Sequence, residues 1–129
     1  MNEALAVPLI IQGGMGVGVS GSKLARAVSR LGQLGVVSGT ALDIVLARRL
    51  QAGDSGGDIR RAVEHFPFPD MARRVLDRYF VPGGKPRERS FLPVPRHSIP
   101  PHRGLTELVV LANFVEVFLA KEGHEGSIG

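Results

Sequence analysis

The run Pro8-Leu9-Ile10-Ile11-Gln12-Gly13-Gly14-Met15-Gly16-Val17-Gly18-Val19-Ser20-Gly21 passes from apolar residues into glycines. Residues 8–11 suit a short buried parallel strand. Five of the next ten residues are glycine, which lets the backbone turn tightly and approach a ligand with no Cβ in the way. Free N–H groups in such a turn favour anionic or polar ligand edges. The run therefore predicts a strand followed by a turn that contacts a ligand.

Two helices and a second strand are predicted after this turn. Apolar residues recur at helical spacing before Gly32, which would end the first helix: Leu24, Ala25, Val28 and Leu31. Residues 34–38 are typical of a second strand. Thr40 and Asp43 have the spacing of a capping box for a second helix, whose apolar face would be Leu42, Val45, Leu46 and Leu50. This β-α-β-α order predicts a parallel sheet.

Residues 54–104 interrupt the alternation and indicate an insert. Asp58 and Asp70 are placed to cap two helices, and six prolines between residues 81 and 104 exclude a long helix or an inner strand there. Residues 108–112 are predicted to form a third strand, with a third helix over residues 115–121. The expected fold class is α/β, in one domain over residues 1–129 with an insert at about 54–104.

Composition excludes several classes of protein. The chain of 129 residues has no cysteine, which excludes disulfides, thiolate nucleophiles and cysteine-ligated zinc. No apolar run approaches the ~18 residues of a membrane span, and the first residues do not resemble a secretory signal, so we expect a cytoplasmic protein with no membrane partner. The net charge of +4 permits nucleic-acid binding. Because no nucleic-acid module accompanies the basic segment 85–103, we expect a solvated loop there and no nucleic-acid partner.

The glycine turn also satisfies a dinucleotide-binding pattern through Gly16, Gly18 and Gly21. That pattern needs an acidic residue at the end of the second strand to hold a ribose. The strand ends at Thr40 without one, and Asp43 lies in the first turn of the next helix, where capping accounts for it. We therefore favour a different ligand over a dinucleotide.

Polar groups are expected to meet at one edge of the predicted sheet. Gly13–Gly16, Ser38–Thr40 and Asn113 each follow a predicted strand, and the loops after parallel strands open on the same edge. Asn113 has both a donor and an acceptor, which suits a planar heterocycle. It would serve equally well as the N-cap of the helix over residues 115–121.

Three segments of the chain resemble the nitronate monooxygenases, formerly called 2-nitropropane dioxygenases. Pro8–Ser20 is similar to the family's opening strand, Gly32–Asp43 to its second strand, and Ala112–His124 to its third strand and helix. The likeness runs in register through the whole chain, including the basic insert. The resemblance implies the N-terminal portion of an FMN-binding TIM-type β/α barrel, with about three βα units and a helical, proline-rich insert.

The resemblance also implies an activity and a set of cofactor contacts. Members of the family use FMN to oxidise alkyl nitronates with molecular oxygen, which gives a carbonyl compound and nitrite. Backbone groups of Gly14, Met15 and Gly16 would lie against the flavin ring, and Asn113 would match an asparagine that touches the cofactor. The family's catalytic histidine would lie beyond Gly129, so no catalytic residue and no metal ligand is assigned within these residues.

The length of the chain leads to a further expectation. A β/α barrel takes about 250 residues, so we expect a fragment that is inactive by itself and self-associates through an open sheet edge at Val109–Leu111. One alternative function is that of the related flavin-dependent enoyl-acyl carrier protein reductases, which use a nicotinamide cofactor. Another is a non-catalytic interaction module that meets an acidic partner through Lys85–Arg103, in a salt-sensitive way.

Overall fold

A computed structural model of the chain describes residues 7–129, so six residues of the predicted domain lie outside the described range. The described chain is mainly helical, with α1 (Ser22–Arg30), α2 (Leu42–Gln51), α3 (Asp58–Val63), α4 (Pro69–Tyr79) and α5 (Arg103–Lys121). Between residues 7 and 129 there is no sheet, and extended segments meet only at two isolated parallel bridges, Ile11 with Leu34 and Gly35 with Ile128. The predicted α/β fold, with three βα units of a TIM-type barrel, is therefore wrong.

The predicted third strand is the clearest error. Residues 108–112 lie inside α5, a helix of 19 residues. Leu108, Leu111, Ala112 and Val115 are buried, whereas Val110 is exposed, which is the spacing of a helix with one apolar face. A short apolar run does not by itself distinguish a buried strand from part of a helix. Because this segment is helical, the open sheet edge predicted at Val109–Leu111 does not exist.

Helix α5 is the centre of the fold, because it packs against each of the other four helices. Its buried face joins residues of α2, α3 and α4, together with Phe66, in one core: Leu42, Leu46, Ala47, Leu50, Ile59, Ala62, Phe66, Ala72, Val75, Tyr79, Leu108, Leu111, Ala112 and Val115. The segment predicted as an insert therefore contributes two helices to the core. None of the helices between residues 7 and 129 is long and apolar enough to cross a membrane.

The first helix is found where it was predicted, but of its predicted apolar face only Ala25 is fully buried. Leu24 is 42% exposed, and Leu31, which follows the helix, is 80% exposed. The buried residues of α1 are the small ones, Ser22, Ala25 and Ser29. Small side chains allow a helix to approach its neighbours closely, and α1 packs on both α5 and the extended segment around Gly35.

The predicted caps of the inner helices also differ from the observed ones. Thr40 does not cap α2, because the helix begins after Ala41, which has a left-handed backbone with φ of 53° and makes no side-chain cap bond. The carboxylate of Asp54 accepts hydrogen bonds from the N–H groups of Ile59 and Arg60 at 3.1 Å each, so it caps α3 in place of Asp58. Asp58 instead forms an ion pair with Arg61 at 3.0 Å.

Candidate functional site

The glycine turn is closed by one buried serine. The Ser20 hydroxyl accepts a hydrogen bond from the Met15 N–H at 2.9 Å and donates to the Gly13 carbonyl at 3.2 Å. The Ser20 N–H donates to the Met15 carbonyl at 3.1 Å, and the Ser20 carbonyl accepts from the Ser38 N–H at 2.8 Å. These bonds hold the loop beside residue 38. They also leave both the N–H and the carbonyl of Met15 hydrogen-bonded to Ser20.

A glutamine side chain fixes the chain that enters the turn. The Gln12 side-chain amide donates to the Val36 carbonyl at 3.1 Å, and its oxygen accepts from the Val36 N–H at 3.2 Å. The Gln12 backbone N–H donates to the Leu34 carbonyl at 3.0 Å. Residues 10–12 therefore run alongside residues 33–36, even though only one residue pair forms a bridge.

The three segments predicted to meet at one edge of the sheet do contact one another, the first against the second and the second against the third. A Cβ placed on Gly14 would lie 3.2 Å from the Val37 carbonyl oxygen and 3.5 Å from the Cα of Ser38. A Cβ placed on Gly39 would lie 3.4 Å from Oδ1 of Asn113. The glycine loop thus touches residues 36–38, and the residue after them touches Asn113.

Beside Asn113 lies a cleft of about 440 Å3. Its walls come from the N-terminal end of α2, one side of α5 and the proline-rich segment before α5: Gly39, Ala41, Asp43, Ile44, Val94, Pro95, Arg96, His97, Val109 and Asn113. This volume falls within the range of about 300–1,000 Å3 that is typical of small-molecule sites. The strained Ala41 lies in this wall, and such strain is often found at ligand sites.

Asn113 lies in the middle of α5, so it neither follows a strand nor caps a helix. Its side-chain N–H donates to the Val109 carbonyl at 2.9 Å, one turn earlier. Its Oδ1 faces Gly39 and accepts no hydrogen bond from any residue between 7 and 129. The amide is therefore oriented by the helix, and its oxygen is free to accept a hydrogen bond from a ligand.

Three charged or titratable groups in the cleft were not predicted from the sequence. Asp43 is buried, and its carboxylate lies 3.6 Å from the exposed imidazole of His97. Arg96 also lines the cleft and forms no ion pair with a carboxylate of the described residues. The sequence contains no signal for this group, because helices α3 and α4 lie between Asp43 and His97 along the chain and only the tertiary fold brings the two residues together.

The anion position at the N-terminus of α1 is occupied by the protein itself. The Ser22 N–H donates to Oε2 of the buried Glu116 at 2.9 Å, and Arg49 pairs with Oε1 of the same residue at 2.8 Å. A dinucleotide pyrophosphate would bind at this helix end. Because a carboxylate already lies there, the local geometry counts against the dinucleotide pattern of Gly16, Gly18 and Gly21.

The remaining histidines have structural contacts. A ring nitrogen of His65 lies 3.1 Å from the Arg61 carbonyl, and one of His124 lies 2.6 Å from the Ala120 carbonyl. Nδ1 of His102 accepts a hydrogen bond from the Leu105 N–H at 3.2 Å and so caps α5. No cluster of three or more His, Asp or Glu that could hold a metal ion occurs in the part of the chain that the structure describes.

The cleft is the place where the sequence-predicted residues and the unpredicted ones meet. Asn113 and Gly39 line it together with Asp43 and His97, and Gly14 packs against the chain immediately before Gly39. None of Gly14, Met15 and Gly16 lines the cleft itself, and the Met15 side chain is 66% exposed. The chain matches no protein-family model, no curated protein and no solved structure, so the geometry of this cleft is the basis for a functional assignment.

Proposed function

We propose that the chain takes part in FMN-dependent oxidation of alkyl nitronates by molecular oxygen, with the flavin ring in the cleft beside Asn113 and one edge toward the glycine turn. The observation that carries this proposal is the unpartnered Oδ1 of Asn113 at the edge of the cleft. The similarity of Pro8–Ser20, Gly32–Asp43 and Ala112–His124 to nitronate monooxygenases supplies the reaction class.

The local chemistry fits a planar heterocycle with donors and acceptors along its edge. The N–H groups of Gly14 and Gly16 donate no hydrogen bond to any residue from 7 onward, so they are available to ring acceptors. Oδ1 of Asn113 is available to a ring N–H. The apolar side chains of Ile44, Val94 and Val109 line the same cleft and would exclude water from a bound ring.

Each residue has a definite part in this proposal. Gly14 and Gly16 present their N–H groups, and Asn113 fixes the ring orientation through an acceptor that the helix holds in place. Met15 contributes its exposed side chain rather than its backbone, because Ser20 engages both of its backbone groups. Bound FMN supplies the electron-transfer chemistry, and Arg96 contributes positive charge that attracts an anionic nitronate to the cleft.

FMN binding is the first test, followed by activity. The purified 129-residue chain is titrated with FMN, and the dissociation constant is measured by quenching of flavin fluorescence. Asn113→Leu removes the amide at nearly constant size and should weaken binding up to about tenfold, the effect of one neutral hydrogen bond. The control Thr106→Val removes a polar group from the same helix outside the cleft and should leave the FMN affinity unchanged.

Substrate assays then separate the proposal from its alternatives. FMN-loaded protein should consume oxygen and release nitrite with an alkyl nitronate. Oxidation of a reduced nicotinamide with an enoyl thioester would instead indicate the reductase class. Salt-sensitive association with an acidic protein and no measurable FMN affinity would contradict the proposal and favour the interaction module.

A further inference from the structure

A second cavity lies on the other side of Pro95 from the cleft. Its volume is about 260 Å3, and it is formed by the C-terminal half of α4 and the first turn of α5. Pro95 lines both cavities, so the two are neighbours separated by the proline-rich segment. The resemblance to nitronate monooxygenases assigned no residue to this second cavity.

Three arginines and one carboxylate line this cavity, namely Arg74, Arg78, Arg103 and Glu107. Arg74 donates three hydrogen bonds to Glu107 at 2.7, 3.0 and 3.2 Å, and Arg103 donates one at 3.2 Å. Arg78 forms no ion pair with a carboxylate of the described chain. With His102 neutral, the cavity therefore carries a formal charge of +2.

The first turn of α5 adds donors to this positive charge. The N–H of Leu105 is satisfied by His102, but those of Arg103 and Gly104 donate no hydrogen bond within residues 7–129. Both residues line the cavity. The N-terminus of a helix of 19 residues favours a bound anion through these N–H groups and through its dipole.

A buried tyrosine is the observation that points to a ligand. Tyr79 is only 4% exposed, yet its hydroxyl makes no hydrogen bond to any residue of the described chain. The residue lines the cavity, and the Arg78 guanidinium lies over its ring, 5.8 Å from the centroid. The Tyr79 hydroxyl is not fully enclosed, so a group bound in the cavity can reach it and supply a hydrogen-bond partner.

We propose that this cavity is a binding site for a phosphate group, as inorganic phosphate or as a small phosphomonoester. Arg78, the Tyr79 hydroxyl and the N–H groups of Arg103 and Gly104 would bind its oxygens. Glu107 stays paired with Arg74, which leaves the charge of +2 to balance a phosphate dianion. The apolar sides of Val75 and Pro95 would accommodate a short organic substituent. The site is independent of flavin binding in the neighbouring cleft.

The test is calorimetric titration of the full chain, without flavin, with inorganic phosphate, glycerol phosphate and acetate at one ionic strength. Phosphate or glycerol phosphate should bind, and acetate should bind at least tenfold more weakly. Tighter binding of glycerol phosphate would assign the site to phosphomonoesters, and equal binding would assign it to the phosphate group alone. Acetate that binds as tightly as phosphate, or no binding by either phosphate compound, would overturn the proposal.

Two variants and one charge-matched control locate the binding. Tyr79→Phe removes only the hydroxyl and should weaken phosphate binding about tenfold, which corresponds to about 1.4 kcal/mol. Arg78→Gln should weaken it by at least as much, whereas Arg73→Gln, on the same helix with its charge paired to Asp70, should not. Thermal unfolding of each variant checks that it folds. Equal affinities in all of these proteins would show a diffuse charge effect and would refute the assigned site.

Discussion

At the scale of single residues, Gly35 shows why α1 has a small-residue face. A Cβ at this position would lie 2.0 Å from the Ala25 carbonyl oxygen and 2.9 Å from the Cα of Ala25. Because these are backbone atoms, a side-chain rotation cannot relieve the contact. Gly35 also donates to the Ser127 carbonyl at 3.3 Å and accepts from the Gly129 N–H at 2.8 Å. A shift here would therefore disturb two neighbouring segments.

Gly35→Ala is expected to lower the free energy of unfolding by about 1–3 kcal/mol, the usual cost of overpacking. The measurement is urea denaturation of the purified variant and the unchanged chain. Gly13→Ala is the control, because a Cβ at Gly13 would meet no atom within 4 Å. Its effect should stay within about 0.5 kcal/mol. Similar losses for the two variants would show that α1 does not pack on Gly35 as described.

At the scale of elements, two buried carboxylates on α5 organise its neighbours. Glu116 joins α5 to the N-terminus of α1 and to Arg49 of α2, while Glu107 joins it to Arg74 of α4. Burial of a carboxylate is costly unless the charge is paired or hydrogen-bonded. Each of these two carboxylates has an arginine or a backbone N–H beside it, so both can lie between packed helices. The apolar residues between Glu107 and Glu116 carry no information about these contacts. A strand was therefore predicted from the apolar run alone.

The pairing of Glu107 predicts how stability depends on pH. Hydrogen bonds from Arg74 lower the pKa of Glu107 below its ordinary value, against the opposing effect of burial. This contribution is fully present above the unfolded-state pKa of about 4.3 and is lost as the pH falls through the lower folded-state pKa. The chain should therefore lose stability on acidification below about pH 4.

Glu107→Gln should be less stable than the unchanged chain at pH 7 and should lose less stability between pH 5 and pH 3. Urea midpoints at the three pH values measure this difference. Glu64→Gln is the control, since Glu64 is exposed and forms no ion pair with a described residue. An acid dependence in Glu107→Gln as steep as that of Glu64→Gln would contradict the role assigned to the Arg74 pair.

At the scale of the whole molecule, one apolar surface stands out beside the glycine turn. Large side chains between residues 7 and 19 are more than half exposed: Val7, Leu9, Ile10, Ile11, Met15, Val17 and Val19. An apolar surface of this extent commonly mediates association. It lies far along the chain from the sheet edge that was expected to cause self-association at Val109–Leu111.

We expect the chain to self-associate through this surface as its concentration rises. Sedimentation velocity across a concentration series should show species larger than a monomer, and Leu9→Lys should shift the distribution toward the monomer. Leu31→Lys is the control, since Leu31 is also 80% exposed but belongs to the end of α1. A monomer at every concentration, or equal effects of the two lysines, would contradict this expectation.

The sequence by itself determined the glycine turn and the existence of helices near α1 to α4, and it singled out Asn113 and Gly39, two of the residues that line the cleft. These features depend on local backbone preference and on short-range periodicity, which neighbouring residues carry. The fold class, the helical state of residues 108–112 and the Asp43–His97 contact were decided only in the tertiary structure. They depend on which helix faces become buried and on contacts between residues that are distant in sequence. Helix α5 makes such contacts with four other helices.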